Sequence, residues 1–248
     1  MDDSPHVELR RVFMRFGDHQ VLHDIDFRVQ RGHIAVVIGG SGTGKTTLLR
    51  ILVGLQRPTR GEVRIDGEDI ASMGERELRR VRAACGMVFQ YSALLDSLTV
   101  MENVALPLRE HERLGGSALR DRVREMLASL GLEGTEERYP NELSGGMRKR
   151  VALARALIRK PSLIMYDEPA SGLDPLTAQR VDDLILETRE RLGVTSIVIS
   201  HSMAQAVRIA DRLYVLDKGQ VAAEGTVSEL KAHDGSLAAS YFAASRID

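Results

Sequence analysis

Short apolar runs punctuate the chain at residues 24–29, 34–38, 62–65, 87–89, 163–166 and 195–200, and their length and β-branched content predict strands. Several are apolar at every position, Ile34-Ala35-Val36-Val37-Ile38 among them. A strand apolar throughout has both faces covered, so the pattern predicts a largely parallel sheet between helical layers. The first two runs, with the Gly61 to Gly67 region, read as a candidate antiparallel sheet beside it. Between Gln90 and Leu143 the pattern turns helical, with candidate helices at 100–109 and 118–130 and no convincing strand. A further amphipathic helix follows Ser144, with Met147, Val151, Ala154 and Ile158 on one face. The αβ alternation then resumes, and a strand pair at 213–216 and 220–223 precedes a helical tail.

Composition narrows the classes of function. The 248 residues suffice for one large α/β domain, and 34 Lys+Arg against 35 Asp+Glu leave a formal net charge of -1. Neither charge nor the 4% aromatic content, without Trp, favours nucleic acid as a partner. The lone Cys85 excludes an internal disulfide framework and fits a reducing compartment, with buried packing as its expected role. The acidic start of the chain lacks the features of a signal peptide, and no apolar run approaches the roughly 20 residues that span a bilayer. The expected location is cytoplasmic, with any membrane work done through a partner.

Candidate chemistry begins directly after the run at 34–38. Gly39-Gly40-Ser41-Gly42-Thr43-Gly44-Lys45-Thr46 satisfies the phosphate-loop pattern between a strand and a helix. Glycines let successive backbone N–H groups point inward, and the helix N-terminus adds its positive end, which together cradle a polyphosphate. Lys45 is placed to reach the β- and γ-phosphates, and Thr46 to help hold Mg²⁺. The apolar run ending in Asp167-Glu168 supplies two carboxylates at a strand's carboxyl end, where α/β sheets gather ligands. Asp167 is the expected outer Mg²⁺ ligand and Glu168 the general base acting on the attacking water. A second glycine-rich helix start, Leu143-Ser144-Gly145-Gly146-Met147, has Ser144 placed as N-cap and is a second candidate anion site.

With these motifs in this order, the chain resembles the ABC ATPase family along essentially its whole length. The resemblance implies an α/β P-loop NTPase core with a mostly parallel sheet, an antiparallel β subdomain and an inserted α-helical subdomain. It divides a single domain, 1–248, into a nucleotide-binding core (1–90 and 160–225), a helical subdomain with the signature (91–159) and a short helical tail (226–248). It assigns Phe16 to stacking on adenine, Gln90 to Mg²⁺ and the attacking water, and residues 39–46 with Thr47 to ATP. It assigns Ser144, Gly145 and Gly146 to the signature, Asp174 of Ser171-Gly172-Leu173-Asp174 to the D-loop, and His201 to the switch histidine. It further implies a head-to-tail homodimer in which Ser144 and Gly146 of one subunit close on the γ-phosphate held by Lys45 of the other.

The family signature usually ends in Gln, whereas Met147 stands here, at the third helical position, where it cannot complete a reciprocal capping box with Ser144. The same Met occurs in ATPases of the Mla/MCE phospholipid-transport systems. Phe89-Gln90-Tyr91-Ser92-Ala93-Leu94-Leu95 and Asn103-Val104-Ala105-Leu106-Pro107-Leu108-Arg109-Glu110-His111 also resemble them. That likeness implies a lipid-transport ATPase on the cytoplasmic face of the inner membrane. Its partners would be permease subunits received at an apolar notch of Ala93, Leu94, Leu95 and Leu98, an MCE-domain lipid-binding protein and a small accessory protein. Small-solute importers or exporters, and a non-transport ABC ATPase of the division type, share the same motifs and stay open.

Overall fold

The computed structural model describes residues 4–112, 115–232, 240 and 242. Its strands in chain order are β1 (Val7–Phe16), β2 (His19–Val29), β3 (Ile34–Ile38), β4 (Arg60–Ile65), β5 (Glu68–Asp69), β6 (Cys85–Val88), β7 (Leu163–Asp167), β8 (Thr195–Ser200), β9 (Arg212–Asp217) and β10 (Gln220–Gly225). The helices are α1 (Lys45–Leu52), α2 (Glu75–Ala83), α3 (Val100–His111), α4 (Gly116–Ser129), α5 (Gly145–Leu157), α6 (Pro175–Leu192), α7 (Met203–Ile209) and α8 (Val227–Ala232). A 3-10 turn at Pro140–Glu142 leads into α5.

Six strands form one sheet in the order β10-β9-β3-β8-β7-β6, parallel throughout except for the antiparallel β10. A second, antiparallel sheet runs β2-β1-β4-β5. The unbroken apolarity of β3 follows from its central place. Ile34, Val36 and Ile38 join the core shared with Val104, Val123 and Val151 of the helical layer, while Ala35 and Val37 join the core shared with Leu48, Ile51 and Phe27. Each face of the strand is thus buried against a different partner, and the period of two is hidden because both phases are apolar.

One expectation needs correction, and one strand was missed. The run at 34–38 does not pair with the antiparallel sheet; it lies between β8 and β9 in the parallel one. β2, from the run at 24–29, does join the antiparallel sheet, where its neighbour is β1, a strand the pattern did not predict. The reason lies at Arg11, whose φ of 48° puts it in the left-handed region. The register shifts between Leu9 and Val12, so the buried positions change phase and the alternation looks broken. Gly61 lies across from this bulge, where an added Cβ would come within 2.3 Å of the Arg11 carbonyl oxygen.

α2 was also not predicted, because Leu78 is its one buried side chain and the rest is largely charged, leaving no apolar stripe. From Val88 to Leu163 the described residues form α3, α4, the 3-10 turn and α5, in line with the helical reading of that stretch. α3 continues through Pro107 to His111, past the expected end at 109. Of the expected helical tail, α8 is described, as are Ser240 and the buried Phe242; 233–239, 241 and 243–248 lie outside the described residues.

Candidate active site

Strand direction gathers the chemistry. Parallel pairing sets Ile38 opposite Ser200, Asp167 opposite Ile199 and Val88 opposite Tyr166. The segments leaving β3, β8, β7 and β6 therefore emerge along one edge of the sheet. They carry residues 39–46, His201, Glu168 and Gln90, drawn from four separate stretches of the chain between residues 39 and 201.

At two of its glycines the phosphate loop has no room for a side chain. A Cβ on Gly39 would lie 2.3 Å from the Leu216 carbonyl oxygen and 2.8 Å from Thr43 Oγ1. Gly44 has φ 103°, and a Cβ there would lie 2.5 Å from Leu22 Cδ2. The hairpin that carries Phe16 at its tip, 48% exposed, thus abuts the loop through Val21 and Leu22. No side chain caps α1 at Gly44, so the first-turn amides keep the orphan N–H groups that suit an anion. Lys45 is only 8% exposed, and its Nζ donates to the carbonyls of Gly39 and Gly40, each at 2.8 Å. Burial lowers its pKa, and the negative charges of Glu168 and Asp167 act in the opposite direction. Thr46 and Thr47 follow on the first turn of α1, Thr46 exposed. A glycine cradle, a helix start without a cap and a buried lysine fit a nucleotide polyphosphate, and the Thr46 hydroxyl with the Asp167 carboxylate offers the hard oxygens that suit Mg²⁺.

Glu168 is the meeting point of the other predicted groups. Its Oε2 accepts from Gln90 Nε2 at 3.2 Å and lies 3.2 Å from His201 Nδ1, while Gln90 Nε2 also donates to Ser171 Oγ at 3.3 Å. The Glu168 backbone stands at φ 46° and is held by its N–H on the Ile199 carbonyl at 3.0 Å. A non-glycine residue in that region costs about 1–3 kcal/mol, a cost that clusters at functional sites. Asp167 is held above the usual aspartate range by burial first and then by the neighbouring Glu168 charge, partly offset by Arg50, Lys45 and Lys149.

The signature residues lie elsewhere. Ser144 caps α5 by accepting from the Met147 amide at 3.3 Å. Ser144, Gly145 and Gly146 line a 590 Å³ cleft with Leu173, Asp174 and Thr177, and no phosphate-loop residue lines it. Asp174 caps α6, its Oδ1 accepting from the Leu176 and Thr177 amides at 3.1 Å each. The chain therefore brings Lys45, Asp167, Glu168, Gln90 and His201 together and holds Ser144, Gly145, Gly146 and Asp174 in a second place.

Beside Gln90, Ala93 and Leu95 line a groove of about 400 Å³ with Met87, Phe89, Leu106 and Pro107. Leu94, expected in this notch, packs on the core instead. The fully buried Asn103 shapes the adjoining loop, accepting from the Leu95 amide at 2.8 Å and donating to the carbonyls of Leu95, Leu98 and Thr99. The sequence did not single out Lys149. On a helix a lysine reads as a solvated surface charge, and only the packing of α5 against the turn after β6 buries it.

A phosphate loop followed by a strand-end carboxylate pair on a parallel sheet defines a P-loop nucleotide hydrolase. The chain belongs to the ABC transporter ATP-binding family: the family model described as "ABC transporter" matches residues 22–171. It is an ATP-hydrolysing subunit of that family. It is 47% identical over 228 residues to methionine import ATP-binding protein MetN 1 of Rhodococcus jostii, spanning 90% of this chain and 67% of that one. It is 41% identical over 224 residues to the intermembrane phospholipid transport system ATP-binding protein MlaF of Haemophilus influenzae, spanning 90% of this chain and 85% of that one. Among solved structures, the dimeric post-hydrolysis state of the ATP-binding cassette MJ0796 bound to ADP and phosphate matches with a TM-score of 0.81 at 34% identity, covering 89% of this chain and 98% of that one.

Proposed function

We propose that this subunit is the motor of a phospholipid-transporting assembly of the cell envelope, closing head to tail with a second copy on two MgATP and driving a separate membrane permease. The observation that carries the catalytic part is the convergence of Gln90 and His201 on one Glu168 oxygen, 3.2 Å from each. In this reading Glu168 takes the proton of the attacking water, Gln90 orients that water, and His201 holds Glu168 and senses the γ-phosphate. Lys45 leaves the Gly39 and Gly40 carbonyls for the β- and γ-phosphates, Phe16 stacks on adenine, and residues 39–44 and Thr47 hold the phosphates. Thr46, Asp167 and Gln90 would hold Mg²⁺, which supplies charge neutralisation to the leaving phosphate when bound.

The separation of the signature from the phosphate loop supports the dimer, since each chain then offers one helix start to the ATP held by the other. The dimeric cassette MJ0796 is a precedent for such pairing. The γ-phosphate is shared between two positive helix ends only while attached, so cleavage loosens the pair. Among the described residues no helix is long and apolar enough to cross a membrane. The groove at Ala93 and Leu95 is the proposed seat of a permease helix, placing the chain peripherally at the cytoplasmic face.

Met147, the segments around Gln90 and Asn103, and the MlaF relative support phospholipid as cargo. Methionine import is the second reading, favoured by the 47% identity to MetN 1. Purification of the chain with its native membrane partners separates them. An MCE-domain protein carrying lipid, with or without a small accessory protein, is expected; a permease whose ATP turnover responds to methionine would overturn the lipid reading and leave the motor reading intact.

A further inference from the structure

α5 does more than present the signature at its start. One turn past Gly145 it carries Lys149, 8% exposed, whose Nζ donates to the backbone carbonyl of Gln90. Further along, Arg155 Nη2 donates to the Ser92 carbonyl at 3.0 Å and Nη1 to the Ala93 carbonyl at 2.7 Å. Ser92 and Ala93 both stand in the left-handed region, at φ 64° and 46°. A turn with two such residues is held against its own strain by outside bonds, and here the backbone carbonyls of Gln90, Ser92 and Ala93 are all held by α5.

The chemistry at 149 is costly unless it does something. A lysine loses hydration when buried, and a Met or Leu would fill the same space with no charge to desolvate. Burial lowers the Lys149 pKa, while Asp167 and Glu168 favour its charged form. The side chain thus touches the Gln90 backbone while standing in the field of Asp167 and of Glu168, the carboxylate that the Gln90 amide meets.

We propose that Lys149 is a positioning residue for hydrolysis: by holding the Gln90 carbonyl it fixes the Gln90 amide against Glu168 and makes Gln90 travel with the signature helix. A displacement of α5 when its N-terminus meets the nucleotide of the partner copy would be delivered to the Gln90 of its own site. The proposal rests on the reading of Gln90 as the residue that orients water.

The test is a double-mutant cycle in the full chain, with ATP turnover measured for Lys149→Met, Gln90→Ala and the pair. Lys149→Met is expected to lower kcat about tenfold with KM for ATP within about twofold, and Lys149→Gln, which keeps an N–H donor, to recover most of the loss. The pair should be no slower than Gln90→Ala alone, because both changes remove one device. Lys149→Ala takes the place of the Met variant should that variant lack a cooperative thermal transition. Losses that multiply, a change confined to KM, or no recovery in Lys149→Gln would overturn the proposal while the Gln90 reading stands. Full turnover in Gln90→Ala would overturn that reading, and the proposal with it.

Discussion

α1 begins at Gly44, in the left-handed region and with no side chain closing its first turn, whereas α5 begins at Ser144, whose hydroxyl already accepts the Met147 amide. The first helix start keeps its donors and holds a lysine folded onto its own loop carbonyls. The second has met part of its hydrogen-bonding need from within and lies in a cleft with Leu173 and Asp174. In the proposed mechanism the first site rearranges to receive phosphate, as Lys45 exchanges two carbonyls for the ligand. The other keeps its shape without a ligand, as the proposed surface for a nucleotide held by the second copy would need to.

Several substitutions break or sharpen that contrast. Glu168→Gln spares both helix starts and removes only the proposed base. Turnover should fall at least about 100-fold while ATP now holds a dimer on gel filtration, and near-normal turnover would remove the base assignment. Lys45→Ala acts on α1 alone, weakening ATP binding to the isolated subunit by roughly 10- to 100-fold in calorimetry, as expected for losing charge-assisted bonds. Ser144→Ala acts on α5 alone. It should leave that affinity within about twofold, weaken the ATP-dependent dimer about tenfold and cost about 1 kcal/mol in thermal unfolding. A loss of affinity in the isolated subunit would merge the two sites into one.

Asp167 gives a smaller effect with a definite sign. Its folded-state pKa is raised, by burial and then by Glu168, so the folded chain binds that proton more tightly than the unfolded chain. The resulting stability is complete below the unfolded value and is lost as pH rises through the folded one. Asp167→Asn should raise the melting temperature of the nucleotide-free chain at pH 7 and change it little near about pH 3. An equal change at both pH values would show that the charge is not the cause.

Met147→Gln is expected to do least. Gln could complete the capping box, worth about 0.5–1 kcal/mol, but Met147 also packs on the core, and losing that contact offsets the gain. The net change should stay under about 1 kcal/mol in chemical denaturation.

What could be read from the sequence follows from how local each signal is. The glycines of the phosphate loop, the acidic pair after an apolar strand and the Ser-Gly-Gly helix start each lie within a few residues, so their types and order suffice. β1 was hidden because the Arg11 bulge shifts its alternation by one position midway. α2 was hidden because one leucine cannot make a stripe. The sheet to which β3 belongs was ambiguous because both phases of its pattern are apolar, which says that each face is covered and not by what. Lys149 was invisible for a different reason: its partner is a backbone carbonyl 59 positions away, and a carbonyl has no letter in the sequence.

Cys85 offers a practical return. It is the sole cysteine, and burial pushes its thiol up to about 12, so little thiolate is available to react at neutral pH. A cysteine introduced at Tyr91, 88% exposed on the turn beside Gln90, would then be the group that takes a maleimide label or a bifunctional reagent. With Cys85 half-buried and its thiol held protonated, the native protein lends itself to site-directed labelling for spectroscopic and proximity mapping.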